Sequence, residues 1–153
     1  MWEKDENPDE YYKHMLEAAR AYKKSDSDKS PANKLTSEIV RWFGQQGGTA
    51  RRVNTGGIYD QKIGKFRPSG MRRGFEDVDG VYPLMINGIK IGIKIACEVK
   101  IGRDKMTGDQ NTRRKELEDA GGIYVICKTL DQTISDIHWR ISELYQKIQE
   151  SIG

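Results

Sequence analysis

The chain has 153 residues, 36% hydrophobic and 32% charged, which suits one domain with its own core. Nothing in it approaches a transmembrane run, and Met-Trp-Glu-Lys-Asp-Glu-Asn at the start lacks the basic and apolar regions of a signal peptide. An intracellular protein with no membrane partner is therefore expected, and Cys97 and Cys127, outside any CxxC or Cys/His zinc spacing, are expected to be reduced core residues. The formal net charge of +3 is unevenly placed. Residues 1–10 carry five acids (Glu3, Asp5, Glu6, Asp9 and Glu10) against Lys4, whereas 51–73 hold Arg51, Arg52, Lys62, Lys65, Arg67, Arg72 and Arg73 against Asp60. Such a basic stripe suits a polyanionic partner, and equally a solvated surface loop.

In chain order, Asn7-Pro8 predicts a helix start, with Tyr12, Met15, Leu16, Ala19 and Tyr22 at helical spacing up to about Lys23. The polar stretch 24–33 reads as a linker, so residues 1–33 form an N-terminal helix and linker, and 34–153 the main domain. Leu35, Ile39, Trp42 and Phe43 predict an amphipathic helix ending at Gly44 or at Gly47-Gly48. Glu38 borders its apolar face, where a carboxylate either finds a partner or a metal, or reaches water from the flank.

Thr49 to Asn54 reads as a short strand, and the glycine-rich segment up to Arg73 as an irregular loop. Tyr59 and Phe66 lie among its basic residues, a mixture suited to gripping a nucleic-acid backbone through Arg51, Arg52, Lys62, Lys65, Arg67, Arg72 and Arg73 with bases stacked on the rings. Val78 to Ile86 and Ile89 to Lys100 alternate with the period of strands, and Asn87-Gly88 joins them as a hairpin. Thr107-x-x-Gln110 is a capping box opening a helix that closes at Ala120 before Gly121-Gly122. Ile123 to Cys127 is a buried strand. A last helix from about Thr129–Asp131 carries Ile134, Ile137, Ile141, Leu144 and Ile148, a stripe that covers the sheet or meets another copy. The order predicts an α/β or α+β domain with a central mixed sheet flanked by helices.

Glu98 and Lys100 share one strand face, and Asp77 lies on the paired strand. Oxygen-rich sites that hydrolyse phosphodiesters hold Mg²⁺ on one or two carboxylates. Asp77 and Glu98 are candidate ligands, the Val99 carbonyl a neutral third, and Lys100 a group to orient water or meet developing charge. His14 and His138 lie away from these residues, which disfavours a histidine-based mechanism.

The ordered set Gly74-Phe75-Glu76-Asp77-Val78, Glu98-Val99-Lys100, and Gln110 opening a helix closed by Gly121-Gly122 resembles the PD-(D/E)xK nuclease superfamily. Within it, the stretch from about Leu35 to Lys128 is most similar to the VRR-NUC (virus-type replication-repair nuclease) family. Arg52-Val53-Asn54-Thr55-Gly56 and Glu38 fall where that family has its arginine-asparagine-glycine strand end and its first-helix acid. One departure is that Glu76, Asp77 and Asp79 offer three acids where the family has a proline or neutral residue before its aspartate, so Asp77 and Asp79 both remain open as the ligand, with Asp77 favoured by its offset from Gly74. Glu76 points to the opposite face if the strand already runs there.

The resemblance implies a restriction-endonuclease-like core and a Mg²⁺- or Mn²⁺-dependent DNA endonuclease. Glu38, Asp77 and Glu98 would be its metal-associated acids, Lys100 its catalytic lysine, and Gln110 the residue that orients the lysine or the phosphate. Asn54 joins the DNA-contacting residues on this ground. It further implies branched DNA as substrate, a phage-type enzyme of replication, recombination or repair, a possible homodimer, and no organic cofactor. A DNA-binding module without cleavage, or a restriction-type nuclease, are the alternatives.

Overall fold

The computed structural model describes residues 30–53, 58–68 and 70–153. The predicted helix at 8–23, and Asn54, lie outside them. The described chain is a mixed α+β domain in which helices cover both faces of a four-stranded sheet.

Strands β4 (Val78–Ile86) and β5 (Ile89–Val99) form its centre. They pair antiparallel from Ile86↔Ile89 at the turn to Val78↔Cys97 at the far end. Asn87 and Gly88 both have positive φ, 50° and 80°, which matches the right-handed twist of the flanking strands. Strand β1 (Thr49–Arg52) adds antiparallel to β4, and β6 (Ile123–Cys127) adds parallel to β5, giving the order β1-β4-β5-β6. The expected strand to Asn54 thus stops at Arg52. The segment read as irregular contains a small separate hairpin, β2 (Ile58–Asp60) with β3 (Lys65–Arg67), in which Tyr59 stands opposite Phe66. Local turn chemistry accounts for it: the Asp60 carboxylate accepts the Lys62 N–H at 2.9 Å and pairs with Arg67, and Gly64 supplies a φ of 62°.

Alternation along β5 divides the core. Ile95, Cys97 and Val99 join Val78, Val125 and Cys127 on the face covered by helix α1 (Pro31–Gln45) and helix α3 (Leu130–Ile152). Ile134, Ile137, Ile141, Leu144 and Ile148 all pack into this face, so the α3 stripe covers the sheet. Ala96 and Tyr124 point the other way, against Leu117 of helix α2 (Gly108–Asp119). Helix α1 begins at Pro31, inside the stretch read as linker, because proline lacks the N–H that a first helical turn leaves unpaired anyway. It runs through Gly44 and ends before Gly47, whose φ of 77° is the usual left-handed helix exit. Both cysteines are buried free thiols, and the Cys97 thiol is pushed well above its usual pKa by its hydrogen bond to Cys127 and by burial.

The fully buried Phe43 ring lies directly over Gly80 of β4, where a Cβ would come within 2.6 Å of a ring carbon. That contact ties α1 to the strand leading back to Asp77. Gly80→Ala is expected to cost on the order of 1–3 kcal/mol through overpacking, read as a lowered midpoint in urea or thermal denaturation.

Candidate active site

The β4–β5 register, continued one step past Val78↔Cys97, brings Asp77 beside Glu98. Two backbone bonds fix Asp77: its Oδ2 accepts the Val99 N–H at 2.8 Å, and its carbonyl accepts the Val53 N–H at 2.8 Å. The Val99 side chain points into the α1/α3 core, so only its backbone faces this acid. Lys100 continues the strand, with its N–H donating to the Cys127 carbonyl at 2.9 Å. Its Nζ lies 3.2 Å from Glu98 Oε1 and 3.5 Å from Asp104 Oδ2. Glu98 and Lys100 are only 2% and 6% exposed, unusual for such side chains unless paired.

Gln110 ties α2 to this pair. The predicted capping box is complete: Gln110 Oε1 accepts the Thr107 N–H at 3.0 Å and the Gln110 N–H donates to Thr107 Oγ1 at 3.2 Å. The amide nitrogen of the same side chain donates to Glu98 Oε1 at 2.5 Å. One residue thus starts the helix with its acceptor and holds the carboxylate with its donor. Its partner in the site is the acid and not Lys100.

Burial first, and the neighbouring Asp77 charge second, push the Glu98 carboxyl up to about 7, against the pull of Lys100. Burial also raises Asp77, opposed by the Val99 N–H and by the charges of Lys100 and Arg52. The second Glu98 oxygen, Oε2, is buried without a hydrogen-bond partner. Two acids whose ionisation is disfavoured, one with an orphaned oxygen, fit a hard divalent cation, which repays desolvation and accepts oxygen donors. Mg²⁺ needs only one or two protein carboxylates, the remainder being water or phosphate.

The other acids have different positions. Asp79 is engaged by Arg51 and Lys94, which leaves Asp77 as the acid beside Glu98. Glu76, 1% exposed, does not point to the opposite face: β4 begins only at Val78, and the Glu76 side chain turns toward α2. There it accepts two bonds from Arg113, at 3.0 and 3.2 Å, with Lys94 at 3.6 Å. Burial alone would raise the Glu76 pKa, but the Arg113 and backbone bonds hold it below the ordinary value. Arg113 also stacks on Phe75, 4.4 Å from the ring centre. Glu38 is half-buried on α1 and makes no ion pair, and no three acidic, histidine or cysteine side chains converge to hold a metal, among the described residues. It therefore does not join Asp77 and Glu98 in a three-acid group.

Of the basic stripe, Arg51 pairs with Asp79, Arg67 with Asp60 and Arg72 with Glu116 of α2, while Arg52 donates to Asn33 of α1. Lys62, Lys65 and Arg73 are exposed and form no ion pair among the described residues. His138 packs against Trp42, 5.7 Å between rings, away from the acids. Sequence reasoning missed the Glu76–Arg113–Lys94 network and Asp104. The Asp104 contact had a signal in its i,i+4 spacing from Lys100, whereas Arg113 had none, because its partner lies 37 residues away. No family model, no curated protein and no solved structure matches the chain.

The raised Glu98 pKa means that the fold binds this proton more tightly than the unfolded chain does. Its contribution to stability is full below the ordinary carboxyl pKa and is lost as pH rises toward about 7. Glu98→Gln removes that loss while leaving an oxygen for Lys100 and Gln110. In the metal-free protein it should raise unfolding free energy at pH 8 by on the order of 1–3 kcal/mol and change it much less at pH 4. Urea titrations of both proteins at the two pH values measure the difference.

Proposed function

We propose that this chain is a divalent-metal-dependent endodeoxyribonuclease of the PD-(D/E)xK type, similar to the VRR-NUC family and acting on branched or structured DNA. The observation that carries the reading is the buried Asp77–Glu98–Lys100 cluster, with its uncommitted Glu98 Oε2 and with Gln110 clamped on Oε1. It combines a cation-seeking pair of acids with an ammonium at a strand end next to a helix start, in the order that the sequence resemblance implies.

Asp77 and Glu98 would hold Mg²⁺ or Mn²⁺, which supplies charge neutralisation at a phosphodiester and acidifies water. Asp77 is held in place by the Val99 and Val53 amides, and Glu98 by Gln110, so neither acid has to be reorganised during the reaction. Lys100, held between Glu98 and Asp104, offers its remaining donor capacity to water or to charge developing on the phosphate. Lys62, Lys65 and Arg73 give the DNA backbone exposed cations that no acid among the described residues has already neutralised. Branched DNA as substrate, the phage setting and a dimer rest on the resemblance alone.

The direct test is a panel of labelled branched and linear DNAs incubated with and without Mg²⁺ or Mn²⁺. Cleavage requiring the metal and lost in Glu98→Gln supports the reading. Metal-independent binding without cleavage of any substrate would leave a DNA-binding module. Lys100→Ala should bind the cleaved substrate nearly as wild type does yet cut it roughly 100-fold slower, the scale of one positioned electrostatic group. Normal cutting would make Lys100 a structural residue of the strand end.

Lys62→Ala, Lys65→Ala and Arg73→Ala combined should weaken DNA binding and flatten its salt dependence by up to about three unit slopes. The fold should be unaffected, because none of the three side chains carries an internal ion pair among the described residues. Binding isotherms across a salt series measure both quantities.

A further inference from the structure

The β2–β3 hairpin is a two-stranded sheet of its own, separate from the four-stranded sheet. Its last pair before the turn is Asp60↔Lys65, which leaves Gln61, Lys62, Ile63 and Gly64 as the tip. Asp60 gives this tip its shape. Its carboxylate accepts the Lys62 N–H at 2.9 Å on one side and pairs with Arg67 at 2.5 Å on the other, while Gly64 takes the left-handed φ of 62° that turns the chain back.

All four tip residues are exposed, and Ile63 keeps 54% of its surface in water. Turns favour glycine, proline, asparagine, aspartate and serine, each of which helps the chain to reverse, and a β-branched apolar side chain does not. Neither core cluster includes Ile63, so its apolar side chain has no part in packing the domain. Lys62 precedes it and Lys65 follows two positions on. The hairpin's own acid is committed to Arg67, and neither lysine forms an ion pair among the described residues. An apolar group thus projects between two uncompensated cations, and a nucleic acid offers the complement of both within one nucleotide: phosphates outside, apolar base faces inside.

We propose that Ile63 is a wedge that enters DNA where base stacking is interrupted. Lys62 and Lys65 seat the hairpin tip on phosphates beside a base step, and the isoleucine side chain occupies the gap between the bases. Magnitude decides which DNA it selects. Burying one isoleucine side chain is worth roughly a ten- to hundredfold gain in affinity, which the unstacking of an intact step cancels. The gain survives only where the stack is already open, as at a branch point, so the wedge distinguishes a junction from continuous duplex without reading sequence. This role rests on the DNA-binding part of the proposed function and is independent of cleavage.

The probes are a four-way DNA junction and a continuous duplex with the sequence of one pair of its arms, titrated with the full chain with Ca²⁺ in place of Mg²⁺ and checked to be uncut. Polarisation of a fluorescein end label reports affinity, and 2-aminopurine at the branch point, or at the same position of the duplex, brightens when its base unstacks. Wild-type protein should bind the junction at least about tenfold more tightly than the duplex and brighten the junction alone. Ile63→Ser should bring the two affinities within about threefold of each other and lose most of the brightening, with duplex affinity and its salt slope unchanged. Its thermal midpoint should match wild type, because Ile63 makes no core contact. Ile63→Leu, apolar and of equal volume, should retain both preference and brightening. Equal preference and brightening in wild type and Ile63→Ser overturn the wedge alone, as does equal loss in Ile63→Leu, which would make the tip's shape the determinant. Absence of binding to either DNA overturns the wedge and the proposed function together. Ile63-dependent brightening by a protein that cuts no DNA with Mg²⁺ or Mn²⁺ supports the wedge and removes the nuclease.

Discussion

The register of the β4–β5 hairpin is the constraint on which the rest depends. Nine residue pairs run from the Asn87-Gly88 turn to Val78↔Cys97 inclusive, and the next step sets Asp77 against Glu98. A slip by one residue would turn Ile95, Cys97 and Val99 out of the core and Glu98 and Lys100 into it, exchanging apolar burial for uncompensated charge. The positive φ at both turn residues fixes the register at one end. At the other, the Phe43 ring over Gly80 and the Val53–Asp77 backbone bond hold the start of β4 against α1 and the end of β1.

Helix α2 works as a strut across the polar face. Three of its side chains reach back to the acids or to the loop before β4: Gln110 to Glu98, Arg113 to Glu76, and Glu116 to Arg72. The helix buries few apolar residues of its own, chiefly Leu117 against Ala96 and Tyr124, so polar contacts contribute much of its placement. The acids they hold behave in opposite ways. Glu76, 1% exposed, is held below the ordinary carboxyl pKa by Arg113 first, with its backbone bond and Lys94, while Glu98 at similar burial shares its one cation, Lys100, with Asp104 and has Asp77 beside it, and its carboxyl rises to about 7. A carboxylate compensated in this way is structural, whereas one left short of positive charge is suited to binding a cation.

The two edges of the sheet contrast as well. On the β1 side, Arg51 and Arg52 are drawn to Asp79 and Asn33, and the basic stripe beyond is partly neutralised by Asp60 and Glu116. On the β6 side, among the described residues, the Gln132 side chain closes the Ile126 carbonyl and the Lys128 N–H. Tyr124 of β6 packs on the α2 side, where burial first and the Glu98 charge second raise its pKa.

Local chemistry was legible in the sequence wherever it acts over a few residues. The two-residue period of 89–99, the Asn-Gly turn, the Thr107–Gln110 capping box and the α3 stripe each reappear in the fold, because strand alternation, turn φ angles and helix caps are satisfied by neighbours in the chain. Where local signals conflict, the reading failed. Ser-Pro at 30–31 opens a helix instead of ending a linker, and the Asp60 turn makes a hairpin within a glycine-rich segment. Tertiary structure alone decided the electrostatics: that Asp79 and Glu76 are taken by cations while Asp77 is not, that Glu38, Asp77 and Glu98 form no three-acid group among the described residues, and that Gln110 meets Glu98. The sequence determined which residues could carry charge and on which face of a strand they stand. The charge state and availability of each depend on distances to groups 12 to 37 positions away and on how much water the packed helices exclude, and neither quantity exists until the sheet has assembled.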